Sequence, residues 1–255
     1  LLIILHLMIS CSKDEDLLKP AILDKPSAMI LFCQRDRNDT LKKVSYEYSN
    51  NNLIAETIFK NGEIQNKTTF EYNSDNKLIY ETYVTHLQKI EKYYIYNELS
   101  QLINIKYKFT NYNADGQISN EIESEAPEAS EYRNNQLVKE WERWGAFNTY
   151  EYKDDKVATK IEYTKNGVEY FFVYYKYSGD LLIEEKKVTK IGRLIYLKTY
   201  TYDSQNRLIQ IRDKENIIEE NDYNGKKLIE KRTYYYGTDP GFDICFGNYI
   251  YRYEY

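Results

Sequence analysis

Four prolines and ten glycines in 255 residues leave no flexible linker to divide the chain, which favours one domain over two. Histidine occurs twice; His6 falls in an N-terminal apolar run, so His86 alone remains for the body of the protein. A multi-histidine zinc site is thereby excluded, and the three cysteines show no Cys-x-x-Cys spacing. The sequence has no glycine-rich phosphate loop, no dinucleotide fingerprint and no Gly-x-Ser-x-Gly elbow. Neither a cofactor nor a metal is expected, and no catalytic set is visible. Net charge is −5, with lysine and arginine dispersed rather than clustered, which argues against a nucleic-acid partner. No apolar run approaches the ~20 residues of a membrane-spanning helix.

Tyrosine is abundant, with 29 copies. Mean hydropathy is −0.73, so much of the apolar content carries a hydroxyl and suits half-wet faces. One pattern recurs: aromatic-x-Tyr, a polar turn of four or five residues, then Leu or Ile. Clear copies are Tyr46-Glu47-Tyr48 to Leu53, Phe70-Glu71-Tyr72 to Leu78, Tyr94-Ile95-Tyr96 to Leu102, and Tyr200-Thr201-Tyr202 to Leu208. Weaker copies centre on Tyr112, Tyr132, Tyr152, Tyr177 and Tyr223. Alternating aromatic and β-branched residues read as strands, and the Asn, Asp, Ser and Gly between them as turns. Asn61-Gly62, Asn166-Gly167 and Asn224-Gly225 supply hairpin turns at the other ends. The reading is an all-β antiparallel meander of about nine hairpin repeats, roughly eighteen strands, curled into an open half-barrel or a closed soluble barrel. Lysines and arginines such as Lys106, Lys139 and Arg212 would interrupt a lipid-facing band. Only Asp16–Ser27 and Glu121–Ser130 look irregular; the acidic run in the latter reads as a solvated loop.

The apolar run Leu1–Ile9 reads as the core of a signal peptide. With no initiator Met or basic n-region, residues 1–10 are expected to be a signal truncated at its start. Met8-Ile9-Ser10-Cys11 resembles a lipobox, making Cys11 the lipidated first residue of the mature chain. Ser12-Lys13-Asp14-Glu15-Asp16 resembles the surface-export tag of Bacteroidota lipoproteins. Residues 11–27 are then a tether and 28–255 a single β domain, anchored to the outer membrane and facing outward. Cys33 and Cys245 remain; they either pair in an oxidising envelope or stand as separate buried thiols. If the sheet rolls up, its first and last strands meet and bring these two cysteines together.

The unit Tyr200-Thr201-Tyr202-Asp203-Ser204-Gln205-Asn206-Arg207-Leu208 resembles the YD repeat of the Rhs family, roughly Tyr-x-Tyr-Asp-x-x-Gly-Arg-Leu. The likeness covers residues 46 to about 236, with Asn or Ser often replacing Asp and Asn replacing Gly. Rhs proteins build β-sheet shells around toxins, and this chain is too short for one. It is more similar to small Bacteroidota lipoproteins with degenerate YD repeats, including an uncharacterised family of porin-like fold. The resemblance implies a curled antiparallel sheet and no activity.

Three function classes stay open. One is a non-catalytic, surface-anchored binding or structural module for a glycan or protein. Another is a glycan hydrolase using carboxylates on a concave face, though the neighbours Glu184-Glu185 and Glu219-Glu220 would point to opposite sides of a strand. The third is Rhs-like shielding of a secreted partner. Trp141 and Trp144 are candidates for stacking on sugar, a joint platform requiring a bulge between them. His86 reads as an ordinary strand residue.

Overall fold

The computed structural model describes the backbone of residues 25–33, 36–125, 129–142, 144–234 and 249–255 and, outside 32–41, their side chains. Among these residues there is no helix and there are nineteen strands. They are β1 (Ala28–Cys33), β2 (Asp36–Ser49), β3 (Asn52–Lys60), β4 (Glu63–Tyr72), β5 (Leu78–Thr85), β6 (Gln88–Tyr96), β7 (Leu102–Tyr112) and β8 (Ile118–Glu125). After a break come β9 (Glu131–Arg133), β10 (Gln136–Trp141), β11 (Phe147–Lys153), β12 (Lys156–Tyr163), β13 (Glu169–Ser178) and β14 (Leu181–Thr189). The series ends with β15 (Leu194–Tyr202), β16 (Leu208–Asp213), β17 (Asn216–Asn224), β18 (Lys227–Thr233) and β19 (Tyr249–Glu254).

Each strand pairs antiparallel with the next from β1 to β8 and from β9 to β19. β1 also pairs with β19, Ala28 opposite Glu254 and Cys33 opposite Tyr249. The meander is therefore joined at its ends and interrupted in its middle. No ladder connects β8 to β9 among the described residues, so the sheet is curled but not closed. At the interruption the chain touches β7 instead: the Ser130 N–H donates to the Ile103 carbonyl at 2.7 Å.

Short turns explain the regularity. At the end of β3, Asn61 and Gly62 both take positive φ, 54° and 82°, the geometry that matches strand twist across a two-residue hairpin loop. In the longer turns Asn76, Ser100 and Asn206 take positive φ. Asn206 stands where the repeat consensus has glycine, and its short polar side chain makes the left-handed conformation tolerable.

The core is strung along one face of the sheet. Leu182, Tyr200 and Leu208 form one buried cluster with Tyr175, Tyr177 and Tyr202 packed around it. Leu137, Tyr150 and Val157 form another, with Tyr132, Tyr152 and Tyr175. Tyr175 belongs to both, so neighbouring units share core residues.

Three expectations change. Glu121–Glu125 is not loop: it lies in β8, because Glu121, Glu123 and Glu125 alternate with Ile122 and Ser124 and stand opposite Thr110, Lys108 and Lys106 of β7. His86 lies in the bend between β5 and β6, exposed, rather than in a strand. Tyr112 is not a repeat equivalent of Tyr96: it closes β7 at the far end, on the face opposite Tyr107. β13, apolar on both faces, lies mid-sheet between β12 and β14, with Tyr170 and Tyr174 exposed.

Candidate functional site

The Tyr200–Leu208 unit shows what each repeat residue does. Asp203 Oδ1 accepts the backbone N–H groups of Gln205 and Arg207 at 2.8 and 3.0 Å, which fixes the turn. Its Oδ2 accepts Arg207 Nε at 2.6 Å. The arginine hydrogen bond first, then the backbone bond from Arg207, hold the Asp203 carboxyl below its ordinary value. The Arg207 guanidinium lies 4.8 Å over the Tyr223 ring of the next unit and donates to the Gly225 carbonyl of that unit's turn. Lys77 repeats this with the Tyr96 ring and the Ser100 carbonyl, and Lys156 with the Tyr177 ring and the Gly179 carbonyl. The basic residue before the aliphatic therefore ties one unit to the next.

The second tyrosine of seven units is a clamp in the other direction. Between units the ladder stops two residues after the aliphatic: Ala55–Thr69 and Glu184–Thr199 are terminal pairs. The aliphatic carbonyl beyond that point has no backbone partner across the junction, and a tyrosine hydroxyl fills the place. Tyr72 donates to Leu53 O, Tyr96 to Leu78 O, Tyr132 to Leu102 O and Tyr152 to Leu137 O. Tyr202 donates to Leu182 O, Tyr223 to Leu208 O and Tyr255 to Leu228 O. The seven distances span 2.8–3.0 Å. Tyr72, Tyr96 and Tyr202 thus occupy equivalent positions on one face, as equal offsets from the turn require. Tyr48, whose own junction is formed with β1, shares their bulged pairing to the following aliphatic, Leu53.

The first tyrosine reaches an acid three residues past the previous aliphatic. Tyr94 donates to Glu81 at 2.7 Å, Tyr150 to Glu140, and Tyr200 to Glu185 at 2.8 Å. Glu185 is buried and also accepts from Tyr196, with Lys198 Nζ 3.8 Å away. Lys92 Nζ sits 2.8 Å from Glu81. Burial, then the charge of Glu185, keeps the Tyr200 hydroxyl far above its ordinary value, so it remains a donor. Burial followed by the Glu140 charge pushes Tyr132 up to about 12. On the other face, Tyr80 and Lys89 hold Glu91. Burial works to raise that carboxyl, and these bonds outweigh it, leaving it below its ordinary value. At the junction of β3 and β4 the series lapses: Phe70 stands where a first tyrosine would, and Glu56 is raised by burial.

The ends of the chain rebuild the same unit from two pieces. β19 supplies Tyr253-Glu254-Tyr255, and β1 takes the place of the aliphatic strand, pairing with β19 on one side and β2 on the other. Lys25 plays the basic residue, lying 5.3 Å over the Tyr48 ring and donating to Asn51 O. Ser27 N–H donates to Glu254 O at 2.7 Å and Ser27 O accepts from Tyr46 N–H at 2.9 Å. Tyr255, donating to Leu228 O, joins the clamp series, in which Tyr112 has no place.

The remaining candidates separate. Trp141 ends β10, half-buried, its ring 4.8 Å from Phe147 with Lys139 above it. Trp144 lies beyond it in the turn and is 71% exposed, so the two form no joint platform on a strand. Glu219 and Glu220 point apart, to Lys231 at 2.7 Å and Tyr234 at 2.6 Å. Cys11 and Cys245 lie outside the described residues, and so does any bond between Cys33 and Cys245. Among the described residues no group of three His, Cys, Asp or Glu is placed to hold a metal ion. The inter-unit acids were missed by sequence reasoning, although Glu81, Glu140 and Glu185 share one offset from Leu78, Leu137 and Leu182.

No family model and no curated protein matches this sequence. Among solved structures, a porin-like protein from Bacteroides uniformis is similar at 14% identity and TM-score 0.40, covering 89% of this chain and 96% of that one. A DUF3836 family protein from Parabacteroides distasonis is similar at 16% identity and TM-score 0.23, over 32% of this chain and 87% of that one. A TcdB2–TccC3–Cdc42 complex is similar at 10% identity and TM-score 0.29, over 76% of this chain. This chain spans only 12% of the length of that match.

Proposed function

We propose that this chain is a non-catalytic module that presents a ligand-binding or structural surface outside the cell, held at the outer membrane by lipid on Cys11. The observation that carries the reading is repetition. Glu81, Glu140 and Glu185 meet the same partner, a tyrosine of the next unit, at three of the junctions between units. An acid that recurs with the same bond is explained by holding units together. A hydrolytic pair would instead single out one place and need two carboxyls facing a shared space. Tyr170, Tyr174 and Trp144 expose rings suited to a glycan or protein partner.

Two measurements test this. Purified chain run through gels containing envelope or dietary glycans should be retarded without releasing sugar. Sugar release that disappears in Glu140→Gln or Glu185→Gln would replace the reading with a hydrolase. Separately, Cys11→Ala should abolish labelling by a fatty-acid probe and free the protein from the membrane; persistent labelling refutes the anchor. Protease shaving of intact cells should cut the wild-type protein if it faces outward.

A further inference from the structure

We infer that one end of the curled sheet docks on a lipid surface with anionic headgroups, setting the apolar tips of its hairpin turns into the headgroup layer. In a meander, successive connections alternate between the two ends of the sheet. One end carries the Asn61-Gly62 turn and the connections β5–β6, β7–β8, β10–β11, β12–β13 and β14–β15. The other carries the Asp203–Arg207 turn and its equivalents. Among the described residues, seven large apolar side chains are more than half exposed. Six of them, Ile64, Ile118, Trp144, Val168, Tyr170 and Ile191, lie within or no more than two residues past a connection at the Asn61-Gly62 end. Only Leu99 lies at the other end, where asparagine, aspartate and glycine fill the turns. Exposed apolar residues scattered singly are ordinary, but scatter would populate both ends alike.

The richest corner joins the β12–β13 and β14–β15 turns. Lys190 N–H donates to Tyr170 O at 3.3 Å, and Lys190 Nζ lies 3.1 Å from Glu169. The two turns close alike, Gly167 N–H on Thr164 O and Gly192 N–H on Thr189 O. Ile191 at the tip of the second is 90% exposed, and Leu194 and Ile195 beside it are exposed too. Lys165, Lys190 and Arg193 surround these tips, three cations against the one acid Glu169. Apolar tips ringed by cations match a membrane interface, where side chains enter the acyl boundary and cations meet anionic headgroups. A second copy docked on the same corner would set this positive charge against itself. Reach permits the contact even if Cys11 is lipidated. The chain enters at the opposite end, Lys25 lying against Asn51. The fourteen steps from residue 11 to residue 25 extend to at most about 50 Å. A nine-residue strand such as β3 spans roughly 30 Å. The inference goes beyond the surface-module reading and stands without the anchor. It gives Trp144 and Tyr170 to the membrane and leaves Tyr174, in mid-strand, for another partner.

The test uses the full chain carrying Cys11→Ala, so that no acyl anchor adds to binding. It is mixed with vesicles of phosphatidylcholine and phosphatidylglycerol whose acyl chains are brominated, and quenching of tryptophan fluorescence is followed. Trp141 and Trp144 are the only tryptophans, so the apolar run Leu1–Ile9 gives no signal of its own. Quenching that saturates with lipid is expected, weaker on phosphatidylcholine alone. A Val168→Asp, Ile191→Asp double variant should need about tenfold more lipid or lose the signal. A Lys165→Glu, Lys190→Glu variant should need about tenfold more anionic lipid. Leu99→Asp, at the other end, should match the parent. All three change exposed positions and should keep the parent's unfolding midpoint. Absence of quenching, equal quenching by either double variant, or an equal loss in Leu99→Asp overturns the proposal. So does a dimer in solution that the Val168→Asp, Ile191→Asp variant breaks, since the occupant would then be a second copy. The contact is reversible and salt-sensitive, so salt-washed cell membranes still report the Cys11 anchor separately.

Discussion

The junction between β14 and β15 and the junction between β3 and β4 are built to one plan and differ in the donors that reach their acid. At the first, Tyr202 caps Leu182 O and Tyr200 holds Glu185. At the second, Tyr72 caps Leu53 O, but Phe70 has no hydroxyl for Glu56. The carbonyl clamp survives alone, so it does not depend on the acid clamp beside it. The acid is then left to burial, which raises Glu56, while the equivalent acid in the first junction is surrounded by two tyrosine hydroxyls and a lysine. A buried carboxylate is tolerated when donors reach it and becomes a cost when they do not.

Five substitutions break or sharpen this contrast. The largest effect is expected from Leu182→Ala, which hollows the cluster under the complete junction. Leu182 is 2% exposed, and the loss should be about 2–5 kcal/mol, read by denaturant unfolding. Tyr200→Phe comes next. It converts the first junction toward the second and should cost about 1–3 kcal/mol, toward the lower end because Tyr196 still donates to Glu185. Phe70→Tyr makes the opposite change and should stabilise by about 1 kcal/mol; an unchanged or lower unfolding midpoint would show that the two junctions are not equivalent.

The smallest effect is a matter of pH. Glu56, held above its ordinary value by burial, binds a proton more readily folded than unfolded. Its charge therefore costs stability above the raised folded value, and the cost fades as pH falls to the ordinary carboxylate value. Glu56→Gln should raise the unfolding temperature at neutral pH and change little at about pH 3.5. Glu220 has the opposite sign. The Tyr234 hydrogen bond lowers its carboxyl despite burial, so its stabilisation is present at neutral pH and is lost as pH falls through the lowered value. Glu220→Gln should lower the unfolding temperature at neutral pH.

How much of this the sequence disclosed depends on the kind of signal. Strands and turns were legible because Tyr-x-Tyr and Asn-rich turns act locally, through period two and positive φ. The pairing of first and last strands was foreseen only if the sheet rolled up, a choice that strand number and twist left open. The bulge before each second tyrosine, as at Thr201/Tyr202, was not legible, since it changes which later residues face the tyrosines. That hid Glu81, Glu140 and Glu185, whose offset of three from leucine looks like the wrong face on a regular strand. β8 was missed because its isoleucines are sparse and its acids outnumber them. Tyr112 deceived by its turn, Asn113 to Gln117, which repeats the hydrogen bonds of Asn73 to Lys77 at the opposite end of the sheet. The exposed and half-buried tryptophans were identifiable as residues, but their separation depended on where β10 ends.

The composite unit at the seam has a kinetic consequence. Ser27 and Glu254 are bonded across 227 positions of chain, while nearly every other junction joins strands adjacent in sequence. Closing so long a loop costs entropy before its contacts repay it, which places this step late. Internal hairpins can form as soon as their residues are available, but β1 must wait for β19 with one edge bare. A chain folding from its first strand onward would therefore carry a partly built sheet until its last strand arrived. Joining residues 25 and 255 by a short linker and opening the chain at Asn61-Gly62 should turn this slowest contact into a local one, giving a permuted protein that folds faster to the same sheet.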